Sequence, residues 1–210
     1  MLYKAPDNEI AKTTVTNTEA QIKRLENARQ NALVELRQVY KKAQALMSDD
    51  YADIFKAHVL MLENDDLCNA ISQMIAADKV SADYATYTTA QKLKATLKKG
   101  GMSGSANDID DVSDCLLRNL RNEQFNKIVA DEKVILCADS LVPSQVLEFN
   151  SENIAGLCLV GDNHWRHIMI VAKAMKIPAV VGIDRLSDNH SGKMATLDGK
   201  TGVLTVDEKA

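Results

Sequence analysis

The chain has 210 residues, 46% hydrophobic and 26% charged, with a formal net charge of −4 at pH 7. These are the proportions of a globular protein, and they exclude disorder, collagen-like repeats and a disulfide miniprotein. Aromatic residues make up only 4%, which, with the acidic balance, argues against a base-stacking platform or a general phosphate-backbone binder.

No apolar run reaches the length of a membrane span, and residues 1–30 lack a signal-peptide apolar region, so the cytoplasm is the expected compartment. Residues 1–16 contain little that is strand-like besides Val15 and are expected to return to the second half of the chain. From Asn17 to Asn122 the texture is helical. Leu25, Ala28, Ala32, Leu36, Val39, Ala43 and Leu46 recur at spacings of three and four, the mark of an amphipathic helix. Asn17 or Thr18 caps its start, with Gln21 as capping-box partner of Thr18. Ser48 opens a second helix ahead of Asp49 and Asp50, with Ile54, Phe55, Val59 and Leu62 on its apolar face. The polarity of residues 63–66 predicts a bend before Leu67, Ile71, Met74 and Ile75. Ser81 caps a third helix ending near Lys98 and Lys99, and the glycines of residues 100–104 stop it. A fourth runs through Ile109, Val112, Cys115, Leu116 and Leu120. The reading is a four-helix bundle.

After Asn122 strands and helices alternate, which implies an α/β layer. Residues 134–138 and 156–160 are short apolar runs suited to buried strands, with a short helix from Pro143 between them. A helix containing Ile168, Ile170, Val171, Ala174 and Met175 ends before Pro178, and residues 179–182 make a third strand. The tail reads as a hairpin turning at Asp198-Gly199. Gly199-Lys200-Thr201 resembles the end of a P-loop. However, Met194 stands where that loop needs glycine, and a strand pattern follows where it needs a helix.

Cys68, Cys115, Cys137 and Cys158 form no C-x-x-C pair and lie in apolar segments, where a free thiol serves as a small hydrophobe. A metal site on His164 and His167 lacks a cysteine nearby in sequence, and no metal ligand set is assigned. The more informative stretch is residues 161–167, between a predicted strand and a helix. A histidine there meets the amide-rich positive end of a helix, which disfavours imidazolium and favours an arriving anion. A neutral imidazole is a competent nucleophile towards phosphorus.

The run from His167 to Gly182 resembles the phosphohistidine segment of Enzyme I of the sugar phosphotransferase system, which reads approximately G-G-x-T-S-H-x-x-I-x-A-R-x-x-x-I-P-A-V-V-G. Residues 53–63, 134–136 and 143–144 resemble other parts of that family in consistent order. The resemblance implies an α/β phosphohistidine domain (residues 1–16 plus 123–210) interrupted by a four-helix subdomain (residues 17–122) that docks the phosphocarrier HPr. It implies that His167 receives phosphate and exchanges it with HPr. Arg166 and Lys173 are the candidate cations for the phosphoryl group on their own chemistry. Asp49, Asp50 and Asp66 then match acidic docking positions, with Met61 and Leu67 as apolar contacts beside them. It implies no cofactor in this chain, since Mg2+ and phosphoenolpyruvate would belong to a carboxyl-terminal barrel, and hence no autonomous use of phosphoenolpyruvate.

The chain departs from the family pattern at residues 162–166, at Val142 in place of threonine, and at Ser105 and Asp110 in place of arginines. The Asp108-Ile109-Asp110-Asp111 run and Val142 are closer to the Enzyme I-like domain of the phosphoenolpyruvate-dependent dihydroxyacetone kinase phosphotransfer subunit. A module that only docks HPr or a similar partner, without carrying phosphate, is the alternative.

Overall fold

Nearly all helix of the chain comes from one uninterrupted stretch, and nearly all sheet from its carboxyl-terminal part. The computed structural model describes residues 1–3, 10–123, 130–139, 141–150, 152–161, 165–183 and 190–207. It divides into two compact units, Asn8–Phe125 and Met1–Asp7 with Asn126–Ala210. Residues 10–16 thus go with the helices rather than with the α/β part. The cause is a short bridge: Val15 donates its N–H to the Lys79 carbonyl (2.8 Å) and Ser81 donates to that of Thr13 (2.9 Å).

The helical unit has α1 (Thr18–Leu46), α2 (Asp49–Glu63), α3 (Asp65–Asp78), α4 (Ala82–Lys99) and α5 (Ser103–Leu120). There are five helices, not four, because the predicted bend at residues 63–66 is a full break: Asn64 ends α2 and its side chain caps α3 through the Asp66 N–H (3.0 Å). Arg29 on α1 holds this break. Its guanidinium donates to the carbonyls of Leu62 (2.9 Å) and Glu63 (2.8 Å) and pairs with Asp65 (2.8 Å), which satisfies helix-end carbonyls that have no partner within α2. Arg24 does the same for α5 at the Leu120 carbonyl (3.0 Å).

The α1 stripe is buried from Leu25 to Val39 and Ala43, while Leu46, in the last turn, is 44% exposed. Asn17, not Thr18, caps α1 by accepting from the Ala20 N–H (2.9 Å). Gln21 makes no capping box with Thr18; its carbonyl oxygen accepts from the Ala82 N–H at the start of α4 (3.1 Å). Ser48 stands at the amino end of α2 without a hydroxyl cap.

The other unit is a four-stranded, all-parallel sheet in the order β1 (Leu2–Tyr3), β2 (Val134–Ala138), β3 (Ile154–Val160) and β4 (Ala179–Ile183). The short α6 (Pro143–Leu147) connects β2 to β3, and α7 (Arg166–Ala174) connects β3 to β4. Parallel strands covered on both faces are apolar throughout; Leu136, Ala138, Leu157, Cys158 and Leu159 are fully buried. β5 (Ala195–Asp198) and β6 (Val203–Val206) form the tail hairpin. Its turn is held by Asp198, whose carboxylate accepts from the N–H groups of Lys200 (2.8 Å) and Thr201 (3.3 Å). Gly199-Lys200-Thr201 is therefore a hairpin turn and not a phosphate loop. The hairpin approaches the sheet at Gly156, where an added Cβ would stand 2.5 Å from the Leu197 side chain.

Candidate functional site

His167 is the second residue of α7 and is half-buried. Three local features present it. Strand β3 ends at Val160 in the sheet, and Gly161 then takes φ +74°, a left-handed conformation that suits glycine. The Gly161 carbonyl accepts from the Gly182 N–H (3.0 Å) and from the Trp165 indole N–H (3.2 Å). Trp165, only 8% exposed, folds back over the start of the loop and occupies the position before the helix. Ile168, Val171 and Ala172 bury the opposite side of α7.

Among the described residues, no side chain caps the amino end of α7. Trp165 offers no side-chain acceptor, and the first intrahelical bond runs from the Met169 N–H to the Trp165 carbonyl (2.8 Å). The amides of residues 166–168 thus precede the helical ladder, at the end of the helix that attracts anions. Arg166, exposed at the first helical position, adds a full positive charge. His164 lies outside the described residues, with Asp162 and Asn163.

Lys173 is not part of this constellation. It sits in the last turn of α7, about 9 Å along the axis from His167 and roughly 240° around it. Its place suits the carbonyl end of the helix. Val142 stands before α6, where its N–H donates to the Gln145 side chain (3.0 Å); it contributes no hydroxyl.

The predicted docking residues separate into two places. Asp49 is exposed at the first residue of α2, followed by Asp50, whose side chain lies outside the described atoms. Asp66 is exposed near the start of α3, where its carboxylate accepts from the Asn64 amide (3.0 Å). The length of α2 puts about 20 Å between these ends. Met61 is partly buried against the helical core. Leu67 is a core side chain, 7% exposed, and leaves almost no surface for a partner.

One group of titratable residues was not singled out by sequence reasoning. His58 on α2, 2% exposed, places Nε2 3.2 Å from the Asp108 carboxylate and 3.6 Å from that of Asp111. The two acids, three residues apart on α5, share one helix face. Burial, then the charges of Asp114, Asp108 and Asp110, pushes the Asp111 carboxyl well above the usual range. Burial, then Asp110, raises that of Asp114 to about 6. Lys94 on α4 forms an ion pair with Asp110.

Comparison with known proteins covers both units. Residues 2–102 match the family described as PEP-utilising enzyme, N-terminal, and residues 130–202 match PEP-utilising enzyme, mobile domain. The chain is 31% identical over 207 residues to a phosphoenolpyruvate-protein phosphotransferase of Priestia megaterium, covering 96% of this chain and 36% of that protein. It is 31% identical over 208 residues to the same enzyme of Geobacillus stearothermophilus, covering 97% and 36%. It therefore spans little more than a third of these relatives. Among solved structures, an Enzyme I protein studied in solution superimposes with a TM-score of 0.76 at 24% identity, covering 99% of this chain and 88% of that one. The N-terminal domain of Enzyme 1 - Nitrogen gives 0.66 at 21% identity, with the same coverage. No described helix is long and apolar enough to cross a membrane.

Proposed function

Because the chain belongs to the PEP-utilising enzymes, with their N-terminal and mobile domains in succession, we propose that it carries phosphate on His167 and exchanges it with HPr. The observation that carries this reading is the position of His167 in the first turn of a helix whose amino end has no side-chain cap. An imidazole nitrogen of His167 attacks the phosphorus of the partner's phosphohistidine. A new N–P bond forms as the partner's N–P bond breaks, and the partner's imidazole leaves. The phosphoryl group carries negative charge spread over its three equatorial oxygens through the transition state, and the amides of residues 166–168 with the Arg166 guanidinium offset it. Positioning does the rest, since the phosphoramidate is already reactive.

Asp49, Asp50, Asp66 and Met61 are assigned to HPr docking, the acids steering a basic surface. Leu67 and Lys173 have no part in the proposal, given their positions. The reading takes phosphate from a phosphorylated protein partner. A setting within a dihydroxyacetone kinase subunit rests only on residues 108–111 and Val142.

The test is to incubate the chain with phospho-HPr, keep it alkaline and map the phosphate by mass spectrometry. Acid-labile phosphate on His167, absent from His167→Gln, is expected. Binding of HPr that weakens with salt and with Asp49→Asn, without any label on His167, supports the docking-only alternative and overturns phosphate transfer.

A further inference from the structure

We propose that Cys137 and Cys158 form a reversible redox site that closes to an intramolecular disulfide across the seam between β2 and β3. The two residues are register partners on neighbouring parallel strands, so their side chains leave the sheet on the same face. Adjacent strands place paired Cα atoms about 4.8 Å apart, inside the window of roughly 4.4–6.8 Å that a disulfide spans. Both are free thiols, and the interaction between these facing groups lowers Cys137 and raises Cys158.

That interaction makes the two sulfurs unequal. It lowers the Cys137 thiol below its ordinary range, more than burial raises it, and it pushes the Cys158 thiol up. Cys137 is half-buried, whereas Cys158 is fully buried. The attacking thiolate is therefore the one that a small oxidant reaches, and the resolving thiol stands directly behind it. Cys68 and Cys115 in the helical unit are both buried and both shifted up by that burial, so they serve as internal controls.

The oxidant is hydrogen peroxide. The Cys137 thiolate attacks one peroxide oxygen, the O–O bond breaks, and hydroxide leaves as water after taking a proton, giving a sulfenic acid. The Cys158 sulfur then attacks the Cys137 sulfur. The S–O bond breaks, the Cys158 proton goes to the departing hydroxide, and the S–S bond forms. Two thiols and one peroxide become one disulfide and two waters, and a dithiol reverses the change. Cys137 is one residue from the end of β2, and Cys158 is two from the end of β3, the strand that leads to Gly161 and α7. The crosslink therefore fixes the carboxyl ends of both central strands.

The experiment treats the full chain with hydrogen peroxide, counts thiols after denaturation and maps crosslinks by mass spectrometry. The count is expected to fall from four to two, with a Cys137–Cys158 linked peptide, and to return to four with dithiothreitol. In Cys158→Ser, Cys137 should stop at the sulfenic acid and be captured by dimedone; in Cys137→Ser no thiol should be lost. Survival of all four thiols in the unsubstituted chain overturns the proposal, and so does linkage of any other pair or between chains.

Discussion

Replacing Asp114 by asparagine should stabilise the helical unit at neutral pH and leave it unchanged in acid. Burial raises the Asp114 carboxyl from its ordinary 3.8 to about 6, with Asp110 adding repulsion and Lys94, Arg118 and Arg121 opposing. Below about pH 4 the group is protonated in both folded and unfolded chains and costs nothing. Between there and about pH 6 the folded chain holds a proton that the unfolded chain has lost, so stability falls as pH rises. Above that both are ionised, and the full penalty stands, about 2–3 kcal/mol. Asparagine has nearly the same shape and never ionises. Urea unfolding followed by far-ultraviolet circular dichroism measures the difference, because the signal comes mostly from α1 to α5. The expected gain in Asp114→Asn is about 2–3 kcal/mol near pH 8 and less than about 0.5 near pH 4. Asp111, raised for the same first reason, remains in the variant and keeps part of the pH slope. A variant that is less stable near pH 8, or equally shifted at both pH values, would falsify the burial argument.

Four other substitutions test separate parts of the fold. Glu35 accepts from both arms of the Arg118 guanidinium (2.6 and 3.5 Å) and from the Asn119 amide (3.3 Å), so Glu35→Gln should cost about 1–3 kcal/mol in urea unfolding. Glu63→Gln, which breaks the exposed pair with Arg37, should cost under about 1 kcal/mol and nothing in high salt. Trp165→Phe loses the indole bond to the Gly161 carbonyl, about 1 kcal/mol, and should speed hydrogen exchange of the β3 amides several-fold; unchanged exchange refutes the anchoring role. Lys176, at φ +58° after α7, should accept glycine with a gain of about 1 kcal/mol in thermal or urea unfolding of the α/β unit.

What sequence reading recovered is what short-range pattern encodes. The three-and-four spacing located the α1 stripe, and the break at residues 63–66 was visible as rising polarity. That this break ends one helix and starts another depends on Arg29, which reaches it from 33 residues away in sequence. Gln21 looked like a local capping partner but serves α4, 61 residues on. The junction that holds His167 was legible because a strand, a loop and a helix succeed one another there. Lys173 stands six residues after His167, which puts it in the last turn of α7, away from the amino end. Leu67 looked available beside Asp66, yet the turn at Asn64 rotates it into the core. His58 reads as one more core position until α5 brings Asp108 and Asp111 to it, 50 and 53 residues later. The pairing of Cys137 with Cys158 depends on strand register, which no single strand contains.

These features assign different sensitivities to the two units, and that makes any loss of phosphate exchange attributable. The raised carboxyls of Asp111 and Asp114 lie in the helical unit, so proton uptake acts there. The thiol pair lies in the sheet, together with Trp165, the only tryptophan of the chain. Indole fluorescence therefore follows the unit that contains His167, while far-ultraviolet circular dichroism follows mainly the unit assigned to docking. If mild alkalinity weakens exchange, the helical signal should move first, and Asp114→Asn should correct it. If peroxide weakens exchange, the indole signal should move first, and dithiothreitol should correct it. An alkali- or oxidant-induced loss that moves neither signal must arise at His167 itself, where the imidazole, its phosphate and the amides at the start of α7 are the only chemistry that the proposal invokes.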